Sequence, residues 1–564
     1  MILFYQKIHD ILKVLKSSTG IEFSTTKEQR DTKRNGDVPK QIAESVALAD
    51  KVFGIATLIK SDIVINKEFV SSKTKMDSAL SIVTLDSARK LFDLHSKKEN
   101  MKTVTSQIKT IFTNTSDNDI KRIAEDLIEF DTNLLSFNDD YQKIAKEFTI
   151  METTLTPQVI DFSSYFNRYA IDDSGLKEHM SSDVFKFIIK DTVIFDKLNA
   201  LFWSGKVKSS TVINYILYKI IDHHLNVKPR SSKECNNVIG EYFPLLVLKA
   251  HTFEYPSHLL EDLEEKTSKL ADNVIKSAQH LISNINYLDE FKKEEWIQEL
   301  GGIRVIIGAP RRVLSSYKIF DNYDDLVISS KNSFYDIMLK LRRFKEMRKQ
   351  KSLYIPQNID EYLFSFTDVA QGNIHYSEEA NILIIPFEVL KFIEINGVKK
   401  ANIINTLIAK ELTKFLITKE NFMARNGGTN VYKSKFGKAL SCIVEKAKHE
   451  NIAQTRSISD LEEVTCSIAA IRIAYSAYLT DLVKNPATIS RIHGKYGMKN
   501  VMNPKIEKNF YLDIKPFLCN INDHQIRNFV DKTIQTFDSY QHAFNCSSPN
   551  HVELCHVFPD NHKV

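Results

Sequence analysis

Leu407-Ile-Ala-Lys-Glu-Leu-Thr-Lys-Phe-Leu416 is the stretch that orders the rest of the chain. Its apolar residues recur at helical spacing, and residues three and four apart share one face. Lys410 and Lys414 therefore stand one turn apart on the same side, with Glu411 beside them. Taken alone, Lys-Glu-Leu-Thr-Lys is a common string of a solvated helix. Its neighbours change that reading. Upstream lies Asn373-Ile-His-Tyr376-Ser-Glu-Glu-Ala-Asn381-Ile-Leu-Ile-Ile-Pro386. Downstream come Asp460-Leu-Glu-Glu463-Val-Thr-Cys-Ser467 and Ala469-Ala-Ile-Arg-Ile-Ala-Tyr-Ser-Ala-Tyr478. Phe510-Tyr-Leu-Asp-Ile-Lys-Pro-Phe-Leu-Cys519, Ala543-Phe-Asn-Cys546 and Cys555-His-Val-Phe558 follow.

In this order and spacing the blocks resemble the neprilysin and endothelin-converting-enzyme family of zinc metallopeptidases. Members carry N-A-[FY]-Y-x-P-x-x-N-x-x-x-x-P, then H-E-x-x-H, then E-x-x-x-D running into a G-G-x-x-x-A-Y-x-A-Y helix. They end in a tail of the A-F-x-C type with a last Cys before the final aromatic residue. Toward the N-terminus, Gly301-Gly-Ile-Arg-Val-Ile-Ile-Gly308-Ala-Pro310 resembles the family's I-G-Y-P turn. Glu234-Cys235 resembles a Cys that opens a helix in the first lobe. Ser45 to Thr57 resembles C-D-D-F-Y-x-Y-A-C-G with both cysteines replaced. The resemblance covers residues 45–564 and is densest from 373 onward. It implies a mainly α-helical, two-lobed fold with a thermolysin-like C-terminal lobe, small β content and a large internal cavity. The expected organisation is a flexible N-terminal arm at 1–44, a helical lobe at 45–345 and a peptidase-like lobe at 346–564.

Composition agrees with that class. The 564 residues exceed one ordinary core, and 43% apolar and 26% charged residues with 16 Gly and 13 Pro describe a globular helical chain. Phe185 to Leu198 and Leu259 to Leu270 repeat apolar residues at helical spacing, and serines after Val327 are candidate caps of a following helix. Ile382-Leu-Ile-Ile-Pro386 is the clearest strand signal, an edge strand by the resemblance. Residues 22–40 are polar with mixed charge and read as a mobile arm. The basic run Lys340 to Lys351 reads as a solvated helix face or a link between lobes; no base-reading motif accompanies it, and no nucleic-acid partner is expected. A net charge of +5 on this length says nothing about partners.

No apolar run approaches the ~18 residues of a spanning helix. Met1-Ile-Leu-Phe-Tyr5 gives way at once to polar residues and is neither a signal nor an anchor. The family implies an extracellular or cell-surface protein; with no signal or anchor visible, an intracellular one is the alternative. Six cysteines stand at 235, 442, 466, 519, 546 and 555. By the resemblance, the partners of Cys235, Cys519 and Cys546 fall on Ala49, Thr57 and His95, so those bridges are lost. Cys442 and Cys555 keep both members of a family pair, and their bridge would contribute ~4–5 kcal/mol through chain entropy. The alternative is six free thiols in a reducing compartment.

The sharpest departure is at the implied metal centre. Active members hold zinc with two neutral imidazoles and a carboxylate, and the Glu of H-E-x-x-H takes a proton from bound water. Glu411 matches that base and Glu463 the carboxylate, while Lys410 and Lys414 take the places of the imidazoles. A protonated Lys has no lone pair to offer and repels a dication. The aspartates that orient the imidazoles fall on Ile417 and Ser467, so ligands and supports are replaced together. Two ammonium groups carry the same +2 as zinc with two His. A bridge from Lys410 or Lys414 to Glu411 or Glu463 is expected; the alternative is that both lysines reach solvent. The groups that polarise the scissile carbonyl fall on Asp523 and Phe529 without gaps, or on His524 and Arg527 after a small shift.

Asn373 and Tyr376 are candidate peptide-binding residues. In the family this segment is an extended strand that holds the substrate backbone, a contact that needs no metal. Ile374 replaces a small residue there, and the bland reading of Asn373 is a surface turn. The leading expectation is a catalytically inactive homologue, without cofactor or membrane segment, that binds peptides or a protein partner in the former active-site cleft. The alternatives are a working zinc endopeptidase with non-standard ligands and a purely structural helical module.

Overall fold

The computed structural model describes residues 2–31, 37–66, 78–79, 81–87, 97–135, 146–155, 158–170, 174–190, 192–226, 232–253, 255–285, 288–310, 319, 323–366, 373–396, 401–426, 458–484, 504–519, 521, 524–535 and 537–546. Helices dominate. The strands are β1 (Ile59–Ile65), β2 (Ser78–Ala79), β3 (Ser81–Ser87), β4 (Lys146–Thr149), β5 (Lys186–Ile189), β6 (Arg304–Ile307), β7 (Gln357–Asn358), β8 (His375–Ser377) and β9 (Ile382–Ile385). The chain forms two compact units, Met1–Val238 with Phe320–Tyr362, and Ile239–Ile319 with Leu363–Val564. Among the described residues no helix is long and apolar enough to cross a membrane.

In the first unit, a four-stranded sheet runs β1-β3-β5-β4, with β3 and β5 parallel and the outer pairs antiparallel. Val83, Leu85 and Phe187 from this sheet share a core with Ile42 and Val46 of helix Val38–Leu48 and Tyr215 and Ile216 of helix Ser209–Asn226. Three expectations are corrected here. Lys186–Ile189 is strand β5 and not the start of a helix; the helix begins at Thr192. Its Phe and Ile residues suit a strand that ladders on both sides, and the helical period holds only from Thr192 onward. The stretch read as a free arm is partly built in. Ile8, Leu15, Ile21 and Phe23 are buried, Ser24 exchanges two backbone bonds with Asn214, and Arg30 pairs with Asp119 at 2.9 Å. Composition alone missed it because a few apolar anchors suffice to hold a polar segment.

The basic run is the third correction. It lies in helix Phe334–Lys351, capped by a reciprocal Ser333–Asp336 box as the serine signal implied. The run turns several charges inward. Lys349 bonds Asp62 at 2.8 Å, Arg342 donates to the Phe53 carbonyl and to His223 Nε2, and Gln350 is fully buried. Of His223 and His224, which lack ligand spacing, His224 is buried and its Nδ1 donates to Ile220 O, while His223 is partly buried, enough to hold it near a pKa of about 4. Around the wide helical turn Ala49–Phe53, Asp50 accepts from Ser61 and from Tyr165 Oη at 3.3 Å. Tyr165 stacks on Tyr169, whose hydroxyl donates to Glu346 at 3.1 Å. Burial, with Glu346 nearby, pushes the Asp50 carboxyl up to about 7.

In the second unit, helix Ser257–Ser283 packs against helices Glu290–Gly301, Ala401–Asn426 and Ile458–Lys484. Val274, Ile282, Ile408, Leu412, Ile471 and Ala474 are buried. The Ala-Tyr-Ser-Ala-Tyr block ties Ile458–Lys484 to helix Pro504–Asp513: Tyr475 Oη donates to the buried Glu507 at 2.7 Å, and Tyr478 Oη to Ile506 O at 3.2 Å. The sheet here runs β6-β9-β8. Ile382–Ile385 is thus its central strand, fully buried, and not the edge expected; an unbroken apolar run fits a strand covered on both faces. The edge beside it is β8, from the Asn373 block.

Candidate functional site

Strand β8 pairs antiparallel with β9, Tyr376 opposite Leu383, and among the described residues no further strand lies on its other side. The Tyr376 N–H is not part of that ladder. It donates to Glu411 Oε2 at 3.2 Å, on helix Ala401–Asn426. Glu411 reaches this place because it lies on the helix face that also buries Ile408, Leu412 and Phe415, and Phe415 meets the Tyr376 ring edge-on at 5.7 Å. Its other oxygen, Oε1, accepts from Lys414 Nζ at 2.5 Å. The bridge expected from one of the two lysines is present. The Glu411 side chain is only 11% exposed and that of Lys414 53%, so the pair spans from interior to solvent. Lys410 Nζ lies 5.9 Å from the Phe517 ring centre, on the short helix Lys515–Cys519.

The β8–β9 connection is fixed by the block's own residues. Tyr376 Oη donates to Asn381 Oδ1 at 2.9 Å, and Asn381 Nδ2 donates to Glu299 O at 3.1 Å. Asn381 takes a positive φ of 52°, which Asn tolerates better than most residues. Burial, then Glu299, Glu378 and Glu379, push the Tyr376 phenol well above its ordinary range. Tyr376 is therefore a neutral hydrogen-bonding post that shapes the strand, with its side chain buried, while Asn373 is exposed just before β8. At the end of β6, Gly308 has φ 67° and donates to Ile385 O at 2.7 Å; a Cβ there would stand 2.7 Å from the Phe387 ring.

Other sequence-derived candidates separate into described and undescribed. Arg527 donates through Nε and Nη2 to Ile521 O at 3.1 and 2.7 Å, so its guanidinium closes the loop before its own helix. Phe529 is a core residue, and Ser467 is buried. The side chains of Glu463, Ile417 and His524 lie outside the described residues, as do Asp523, His95, Cys442 and Cys555. Cys466 is buried; Cys519 and Cys546 are exposed free thiols. Among the described residues, no three His, Cys, Asp or Glu side chains stand together as a metal site. Sequence reasoning missed the Glu411 contact with Tyr376 N–H.

The profile of Peptidase family M13 matches residues 5–310. The chain belongs to Peptidase family M13. This is the neprilysin family of zinc metalloendopeptidases expected from the sequence blocks, and the match starts well before residue 45. Solved structures agree with the M13 fold. The zinc metalloprotease Zmp1 of Mycobacterium tuberculosis, in complex with an inhibitor, superposes with a TM-score of 0.62 at 12% identity, over 96% of this chain and 90% of that one. A Haemonchus galactose-containing glycoprotein complex gives 0.61 at 14% identity, over 99% and 92%. PepO of Lactobacillus rhamnosis gives 0.56 at 12% identity, over 96% and 85%. At these identities the likeness carries the M13 fold and no chemistry. No curated protein matches this M13 chain by sequence.

Proposed function

We propose that this M13 homologue is non-catalytic and docks extended peptides along β8. The observation that carries the reading is the Lys414–Glu411 pair beneath that edge strand. Where an active site of the family needs two imidazole lone pairs and a free base, this helix presents two ammonium groups and a base already bonded on both oxygens. Lys410 and Lys414, as protonated amines, do not fit zinc. The edge strand itself is kept, with Asn373 exposed at its entrance, and docking through main-chain pairing depends on strand shape and not on a metal.

Metal analysis of the purified protein is expected to find no stoichiometric zinc, with no change on Glu463→Ala. Restoring both imidazoles by Lys410→His and Lys414→His should give weak metal binding at best, because Ile417 and Ser467 supply no carboxylate to orient them. Zinc at one per chain that Glu463→Ala removes would sink the proposal. Fluorescence anisotropy with an extended peptide library should show modest binding, weakened about fivefold by Asn373→Ala through loss of one hydrogen bond. Mass spectrometry should find the peptides intact. Cleavage abolished by a chelator would instead mark a working endopeptidase, and no binding at all a structural module.

A further inference from the structure

We infer that Glu411 is an internal stand-in for a docked peptide, and that a peptide bearing one carboxylate opposite Lys414 displaces it. The inference rests on the peptide-docking reading and names the class of peptide. An added strand pairs through the outward-facing main-chain groups of an edge, and at Tyr376 the donor is already taken by Glu411 Oε2. Both contacts of Glu411 have equivalents in a peptide. A peptide carbonyl can accept from Tyr376 N–H, and a peptide carboxylate can accept from Lys414 Nζ. The 53% exposure of the Lys414 side chain, against 11% for Glu411, lets an incoming acid reach the ammonium from solvent while Glu411 rotates away. Lys410, on the same helix face, adds a second positive charge.

Charge also limits the ligand. Glu378 and Glu379 sit in the turn after β8, and with Glu299 they raise the field at the Tyr376 hydroxyl. A uniformly acidic peptide meets repulsion at that end. The preferred ligand is an extended peptide with a single Glu or Asp, or a terminal carboxylate, placed to meet Lys414. Like charges juxtaposed at a rim discriminate between partners more than they change total affinity.

The test uses anisotropy with two labelled peptides, alike except for one central Glu or Lys, and amide hydrogen exchange at Tyr376. Wild type should bind the Glu peptide more tightly. Glu411→Ala should tighten binding of both by about 10-fold, the scale of one charge-assisted hydrogen bond no longer displaced. Lys414→Met should abolish the charge preference, and Glu411→Gln, which keeps the side-chain volume, should give an intermediate gain. Tyr376 exchange should accelerate in Glu411→Ala and slow again with peptide bound. Equal affinities in wild type, Glu411→Ala and Glu411→Gln, with no charge preference, would overturn the inference and leave peptide docking standing. Absence of binding in every variant, with Tyr376 exchange still accelerated by Glu411→Ala, would overturn the docking reading and the inference with it.

Discussion

Asp50→Asn is expected to stabilise the first unit at pH 8 by up to about 4 kcal/mol and to leave its stability near pH 4 unchanged. The Asp50 carboxyl titrates at about 7 in the folded chain against an ordinary value of 3.8. Between those values the folded state holds a proton that the unfolded state has released, so stability falls as pH rises from about 4 to 7 and is flat above. Burial is the main cause, and Glu346, itself raised by burial, adds repulsion. Asp50 retains some solvent exposure, so the figure is an upper bound. Asn keeps an oxygen for Ser61 and Tyr165 and removes the charge. Urea unfolding at pH 5, 6, 7 and 8 measures it. Equal pH slopes in both proteins, or a less stable Asn variant at pH 8, would contradict the account.

Gly308→Ala is expected to destabilise the second unit by about 3 kcal/mol, combining a left-handed backbone cost of ~1–2 kcal/mol with an overpacked core. The new Cβ would meet the Phe387 ring at 2.7 Å, and that ring stacks with both His251 and Tyr255. Because Gly308 N–H also bonds Ile385 O, the strain passes into β9 and from there to β8, and peptide affinity should fall with stability. Trp296, fully buried in the same unit, reports unfolding by fluorescence. In a Phe387→Leu background the ring is gone, and Gly308→Ala should then cost only the backbone part, about 1 kcal/mol. Full additivity of the two changes would show that the ring contact is not the cause.

The sequence by itself determined the family and the mainly helical class: the M13 profile matches residues 5–310, and the blocks from Asn373 through Glu411, Glu463 and Ala-Tyr-Ser-Ala-Tyr, which resemble the family's motifs in spacing, lie beyond that match. It also determined that Lys414 shares a helix face with Lys410 one turn before it and with Glu411 three residues before it, which follows from 3.6 residues per turn. Local capping was legible too, as at Ser333 and Asp336. Strand partners were not. The run Ile382–Ile385 announced a strand, but whether it was edge or centre depended on β6, far off in sequence, and on the short β8. Lys186–Ile189 needed β3 and β4 to become a strand, and the inward charges of Lys340 to Lys351 needed Asp62 and Phe53 to draw them in. Tertiary structure alone decided that Glu411 caps Tyr376 N–H. Helix geometry fixes which side chains travel together, but the main-chain donor they meet is set by how a separate strand packs across that helix.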